Sequence, residues 1–114
     1  MSENNKIYEV TVANYDEVVA QSPLPVLLDI GATWCRDCVR IQPSFEAYAE
    51  KHSDKIRFAK CNFDTEEALN EKFRVRHIPT IVFIIKGEVQ DILVEPKDRA
   101  LFDAFVDKAL AALA

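Results

Sequence analysis

Apolar side chains recur along this chain with two periods, two and about 3.6, and the switches between them divide it into elements. Ile7 to Thr11 alternates apolar and polar as a half-buried strand does. Tyr15, Val18 and Val19 then fall at helical spacing behind Asn14, a residue type that caps helices. Pro25 opens Val26-Leu27-Leu28-Asp29-Ile30, a run suited to a strand covered on both faces, with one carboxylate out of place near its end. From Cys35 onward Ile41, Phe45, Tyr48 and Ala49 mark one helical face, and Pro43 should kink that helix about one turn in. Lys55 to Cys61 reads as a strand, and Asp64 with Glu67 three residues on has the spacing of a capping box opening a helix toward Phe73.

Thr80 to Ile85 is rich in β-branched residues. Lys86-Gly87-Glu88 turns it into a second run, Val89 to Val94, at hairpin spacing. Beyond Pro96 the apolar positions Phe102, Phe105, Val106, Ala109, Leu110 and Leu113 give an amphipathic helix. The order is βαβαβαββα. Such alternation predicts an α/β fold with parallel strands, right-handed crossovers, helices on both faces of a mixed central sheet, and one antiparallel strand added at an edge by the terminal hairpin. Glycine occurs only at Gly31 and Gly87, and no repeat or linker divides the chain, so residues 1–114 are read as one domain.

Composition narrows the function. At 114 residues, 49% of them hydrophobic and 29% charged, the chain is long enough and apolar enough for a core. The formal charge of −5 leaves no basic footprint, so neither nucleic acid nor an anionic membrane is an expected partner. The apolar run Ile81 to Ile85 falls far short of the roughly 20 residues that span a bilayer. Met1-Ser2-Glu3-Asn4-Asn5-Lys6 is polar and lacks the apolar region of a secretory signal, which makes the cytoplasm the expected compartment.

Three cysteines are too few for a disulfide scaffold. Two of them, Cys35 and Cys38, stand where a strand gives way to a helix. A helix N-terminus offers unpaired N–H groups and a partial positive charge, which favour an anionic sulfur at Cys35. One turn later, Cys38 can attack a mixed disulfide formed at Cys35. A metal half-site is the competing reading of this pair. Zinc, however, needs about four ligands, and Cys61, His52 and His77 have the wrong spacing for a second pair. Trp34 can be a flat platform beside the nucleophile or a core aromatic. Asp29, in an apolar strand, should have its pKa raised toward the range of a general base at neutral pH. Cys61 reads as a buried, inert thiol and His77 as an exposed loop residue.

The stretch Val26-Leu27-Leu28-Asp29-Ile30-Gly31-Ala32-Thr33-Trp34-Cys35-Arg36-Asp37-Cys38 resembles the active-site strand and loop of the thioredoxin family. Pro43 is similar to the proline that kinks that family's second helix. Ala59-Lys60-Cys61-Asn62-Phe63-Asp64 resembles its third strand and exit, and Phe73-Arg74-Val75-Arg76-His77-Ile78-Pro79-Thr80 the approach to its cis-proline loop. The resemblance implies a thioredoxin fold and a protein-disulfide reductase that cycles between a Cys35/Cys38 dithiol and a disulfide and needs no bound cofactor. In it Cys35 attacks, Cys38 resolves, and Asp29 helps deprotonate Cys38 through water. It also places Lys60 beside Asp29, which leaves a structural ion pair as a second role for that carboxylate.

By the same resemblance Ile78-Pro79 is a cis peptide facing the sulfurs, with the Ile78 backbone and Trp34 contacting an extended client segment. Disulfide-containing clients and a thioredoxin-reductase-like electron donor are the implied partners, and a monomer the expected state. The chain departs from the family at Arg36 and Asp37, where Gly-Pro is common. A guanidinium favours and a carboxylate opposes a neighbouring thiolate, so these two residues should tune the redox pair, and pairing with each other would make them cancel. Gly31 stands where a larger, often aromatic residue is usual, and Glu95 where a groove-lining glycine is common. These departures keep open a client-specific oxidant or isomerase, and a binding module of the same fold that works independently of redox state.

Overall fold

The computed structural model describes residues 7–114, so the polar opening on which the reading of no secretory signal rests lies outside the described residues. The elements are β1 (Ile7–Val10), a π-helical turn (Asp16–Ala20), β2 (Val26–Gly31), α1 (Arg36–His52), β3 (Arg57–Asn62), α2 (Glu67–Lys72), β4 (Thr80–Ile85), β5 (Glu88–Val94) and α3 (Arg99–Ala112). Side-chain chemistry explains where boundaries differ from the periodicity. Asn14 caps nothing: its Oδ1 accepts from the Thr11 N–H at 2.8 Å and its Nδ2 donates to the Glu9 carbonyl at 2.9 Å, which ends β1 one residue early. The Lys55 and Ile56 N–H groups both turn back to the His52 carbonyl, so β3 starts only at Arg57.

The five strands lie in the order β1-β3-β2-β4-β5. β1, β3 and β2 are parallel, β4 is antiparallel to β2, and β5 is antiparallel to β4. The sheet is therefore mixed, as expected, but its reversed strand is β4 and not the edge strand β5. The cause is the length of α2. Six helical residues advance about 9 Å, less than half the ~20 Å of a six-residue strand, so the chain enters β4 at the end where it left β3. Thr80 accordingly pairs with Ile30. The reversal carries the loop before β4 to the cysteine end of the sheet. β4 then turns into β5 through Lys86 (φ 51°) and Gly87 (φ 81°), the left-handed pair that a two-residue hairpin requires.

Period-two alternation sends each strand's side chains into two cores. Leu27, Phe58, Ile81 and Phe83 meet Ile41 and Phe45 of α1 and Phe102 and Val106 of α3. Leu28, Ile30, Ala59, Val82 and Ile84 meet Val19, Leu69 and Phe73 on the other face. Asp29 follows Leu27 and so faces α1, in the core. α1 runs unbroken through Pro43. α3 is capped by Asp98, whose Oδ1 accepts from the Leu101 N–H at 3.0 Å.

Phe45 holds α1 to the sheet and to α3, edge-on to Phe58 at 5.7 Å and tilted to Phe102 at 6.3 Å, with no exposed surface. Phe45→Ala should therefore cost about 3–5 kcal/mol, a large part of a small domain's stability. Urea unfolding checks this, and the expected result is a lowered midpoint with an unchanged slope.

Candidate active site

Cys35 is the residue at which extended chain becomes helix. Its φ of −89° and ψ of 119° are those of an N-cap, and its carbonyl accepts the first helical bond from the Val39 N–H at 3.0 Å. In that position a serine or aspartate would offer an oxygen to the exposed N–H groups of the first turn. Here the sulfur takes that place: the Cys38 N–H points at Cys35 Sγ at 3.2 Å. A backbone donor and the positive end of a 17-residue helix thus meet on one sulfur. On its other side, Cys35 Sγ lies 3.7 Å from the Ile78 carbonyl oxygen.

Ile78-Pro79 is a cis peptide, and the loop that holds it is pinned at three points. Thr80 Oγ1 donates to the His77 carbonyl at 2.6 Å, the Glu95 N–H donates to the Pro79 carbonyl at 2.8 Å, and Thr80 begins the β4 ladder. Cys35 and Cys38 are each only 7% exposed, and with Cys61 both are free thiols, the dithiol form of the expected cycle. Burial, then the hydrogen bond with Cys35, pushes the Cys38 thiol up from its ordinary range. Cys38 needs a base to become a nucleophile. Burial likewise pushes Cys61 up to about 12, in keeping with an inert thiol.

A buried carboxyl lies on the same face of the sheet. Asp29 is 3% exposed, and burial raises its pKa to about 7, against a smaller opposing pull from the Lys60 charge. Asp29 and Lys60 are register neighbours across β2 and β3. Lys60 nevertheless does not close the structural ion pair: its Nζ donates to Gln42 Oε1 at 2.8 Å, and Asp29 Oδ1 has no hydrogen-bond partner among the described residues. A carboxyl left in this way retains a proton near neutrality, and it can both take and return one.

Around the sulfurs three local expectations change. Trp34 is not a core aromatic: it is 66% exposed, and its Nε1–H donates to Asp64 Oδ2 at 2.8 Å. Asp64 is thereby committed to Trp34 and opens no capping box; α2 starts behind Glu66 with no side-chain cap. Arg36 does not pair with Asp37, because consecutive helical residues point about 100° apart. Asp37 instead binds Arg40, one turn on, and Lys97 at 3.4 Å, and these hold its carboxyl below the usual carboxylate range.

Lys97 continues to Glu95 at 3.1 Å, and Glu95 to His77 Nδ1 at 3.6 Å. A charged rim thus runs from the first turn of α1 to the loop of Ile78. Sequence reading missed Arg40 and Lys97. The i,i+3 spacing from Asp37 signals the first, and nothing local signals the second, sixty residues away.

The displaced Asp29 pKa makes stability depend on pH in one direction. The native carboxyl holds its proton up to about pH 7, whereas the unfolded chain releases it near the ordinary aspartate value of 3.8. The native state is therefore favoured most below about pH 4 and loses that advantage as pH rises through 7. Asp29→Asn, which cannot ionise, should be more stable than the wild type by on the order of a few kcal/mol at pH 8, and the difference should shrink toward pH 4. Denaturant midpoints measured across that range check the sign.

A family model described as Thioredoxin matches residues 6–108. The chain is 33% identical over 101 residues to the chloroplastic M-type thioredoxin of Brassica napus, covering 89% of this chain and 57% of that protein. It is 34% identical over 85 residues to the thioredoxin of Haemophilus influenzae, covering 75% of this chain and 79% of that protein. With the thioredoxin of Acidithiobacillus ferridurans it shares 31% identity over 107 residues, which cover 94% of this chain and 99% of that protein. The chain spans 57% and 60% of the length of the M-type relatives from Brassica napus and Pisum sativum.

Proposed function

The chain belongs to the thioredoxin family and has its fold, and on that premise we propose that it is a thiol–disulfide oxidoreductase that reduces protein disulfides through Cys35 and Cys38. The observation that carries the reading is the seat of Cys35 Sγ, between the Cys38 N–H at 3.2 Å and the Ile78 carbonyl at 3.7 Å, with a buried carboxyl behind the second thiol. The first contact favours the anion that attacks; the second puts a backbone edge beside the bond to be cleaved.

The cycle uses the protein's own side chains. Cys35 thiolate attacks one sulfur of the client disulfide, a Cys35–client bond forms, and the other client sulfur leaves as thiolate. Asp29 takes the Cys38 proton, through water. Cys38 thiolate then attacks Cys35 Sγ, closing the Cys35–Cys38 bond and releasing the second client thiolate. Two electrons pass to the client, whose thiolates take up protons from solvent.

Ile78 and Pro79 orient an extended client segment, and Trp34 flanks it. Arg36, Asp37 and Lys60 tune the charges around the sulfurs and the base. A thioredoxin-reductase-like donor restores the dithiol, and the working unit is a monomer. Among the described residues no helix is long and apolar enough to cross a membrane. A reducing compartment, the cytoplasm, suits the free thiols, while the M-type relatives named above are chloroplastic.

The test is turbidimetric reduction of insulin by dithiothreitol. The wild type should exceed the uncatalysed rate, Cys35→Ser should fall to it, and Cys38→Ser should accumulate covalent client adducts that excess thiol releases. A wild-type rate equal to that of dithiothreitol alone would refute the reading.

A further inference from the structure

Strand order fixes what stands on either side of a bound client. Cys35 follows β2 and Ile78-Pro79 precedes β4, the two middle strands of the run β3-β2-β4-β5. Trp34 is tied to Asp64, which follows β3. Glu95 follows β5 and stands beside Pro79, because Val94 pairs with Thr80. An extended segment at Ile78 therefore has two unlike walls: an exposed indole on the β3 side and the charged rim on the β5 side.

Glu95 holds that rim together in a backbone conformation that favours glycine. Its φ is 48°, in the left-handed region, where a side chain is strained. Its N–H donates to the Pro79 carbonyl at 2.8 Å, a bond that glycine would make equally well. Only the carboxylate does what glycine cannot: it meets Lys97 Nζ at 3.1 Å and His77 Nδ1 at 3.6 Å. Lys97 then reaches Asp37 at 3.4 Å, and Arg40 fastens the far end by binding Asp37 and donating to the Lys97 carbonyl at 3.0 Å. The carboxylates form the inner course of the wall, with the Asp37 and Glu95 side chains 20% and 33% exposed. The Lys97 and His77 side chains, 70% and 64% exposed, form the outer course.

We propose that Glu95 is a specificity-determining residue, whose paired carboxylate makes the β5 side of the client groove a charged wall that rejects apolar side chains and admits polar ones. The proposal rests on the disulfide-exchange reading above and names the class of disulfide that reading leaves open. Exposed ion pairs add little to stability because water serves both charges. An apolar side chain laid over them removes that water and returns no hydrogen bond, so every covered charge bears a desolvation cost. A polar side chain takes the place of the water it displaces. Pairing with Lys97 and His77 also cancels the sign of the carboxylate, so the wall sorts clients by polarity more than by charge. Trp34 opposite is tolerant of apolar contact, and selectivity on the β5 side arises by rejection.

The experiment compares two peptides, each a homodimer joined by one disulfide so that either sulfur is equivalent to attack. The residues two before and two after the cysteine are leucine in one peptide and glutamine, similar in size, in the other. In an extended segment these positions face the same way as the cysteine. Reduced protein is mixed with each peptide, quenched in acid, and the released peptide thiol is measured by chromatography to give a second-order rate constant. The leucine-to-glutamine ratio of rate constants within one variant cancels any change in Cys35 reactivity or in the fraction folded.

Glu95→Gly removes the wall and keeps the N–H that holds Pro79. Glu95→Met keeps the length of the side chain and removes its polarity. In both, the leucine-to-glutamine ratio should rise about tenfold over the wild type, the size of a modest difference in binding. A rise of less than about threefold in either folded variant overturns the proposal: in Glu95→Gly it means that the side chain is no wall, and in Glu95→Met that bulk and not charge forms it. Should one variant fail to fold, the other decides. A folded wild type that reduces neither peptide overturns the disulfide-exchange reading itself, whereas a wild type that reduces both, with a ratio that Glu95 does not move, overturns the wall alone.

Discussion

The sulfur of Cys35 occupies the place of a cap oxygen, and the reactive end of the molecule is arranged around that substitution. A helix start must satisfy its first N–H groups, and a side chain from the N-cap is the usual means. With a thiol in that role, the Cys38 N–H that would otherwise need water points at Cys35 Sγ at 3.2 Å. The same contact that ends the loop after β2 puts a backbone donor on the sulfur. In the proposed cycle cap and nucleophile are one group, so the start of α1 and that chemistry cannot be altered independently.

The second thiol is governed by the opposite physics. Cys38 is buried, and burial opposes its ionisation, so the proposed resolving step calls for a base inside the protein. In the proposed cycle Asp29 meets that need because it too is buried. An exposed carboxylate would ionise near pH 4 and bind a proton too weakly to take one from a thiol at neutral pH. The conflict is between stability and reactivity at one residue: the environment that lifts the Asp29 pKa to about 7 also weakens the native state above that pH. Lys60, held by Gln42 and not by the carboxylate, leaves the conflict unresolved.

Much of this architecture was legible as periodicity. The strand containing Asp29, the β4–β5 hairpin and the buried positions of α3 follow from apolar patterning and turn residues: β2 and β4 are covered on both faces and one face of α3 packs into the core, while β5 at the edge keeps no buried residue. The direction of β4 did not follow. Alternation of strand and helix implies a full crossover, and only the shortness of α2 shows that the chain never returns to the far end of the sheet. The resemblance had already placed Pro79 before the sulfurs, which requires that reversal.

Capping signals failed for a different reason. Asn14 and Asp64 have the right chemistry, but an oxygen that can cap a helix can equally accept from Thr11 or from the Trp34 indole. Sequence spacing does not rank competing acceptors. Lys97 was invisible because its contacts with Asp37 are made by the fold and not by neighbours in the chain.

The charged rim on the front face completes the division of labour. Asp37, two residues after the nucleophile, would oppose the Cys35 thiolate if it stood alone. It is bound instead by Arg40 and Lys97. Ion pairs this exposed add little to stability, so the rim has no force as a brace. What it changes is the local charge. With Asp37 matched by Arg40 and Lys97 and Glu95 matched by Lys97, the carboxylates of the rim are offset without being buried. Glu95 accepts a left-handed backbone, φ 48°, at this place, and from there its N–H holds the Pro79 carbonyl while its carboxylate reaches Lys97 and His77. A glycine would relieve the backbone and delete the rim's link to the cis loop. The residue kept here thus favours a charged wall over an unstrained turn, and the wall stands on the side where a client would lie.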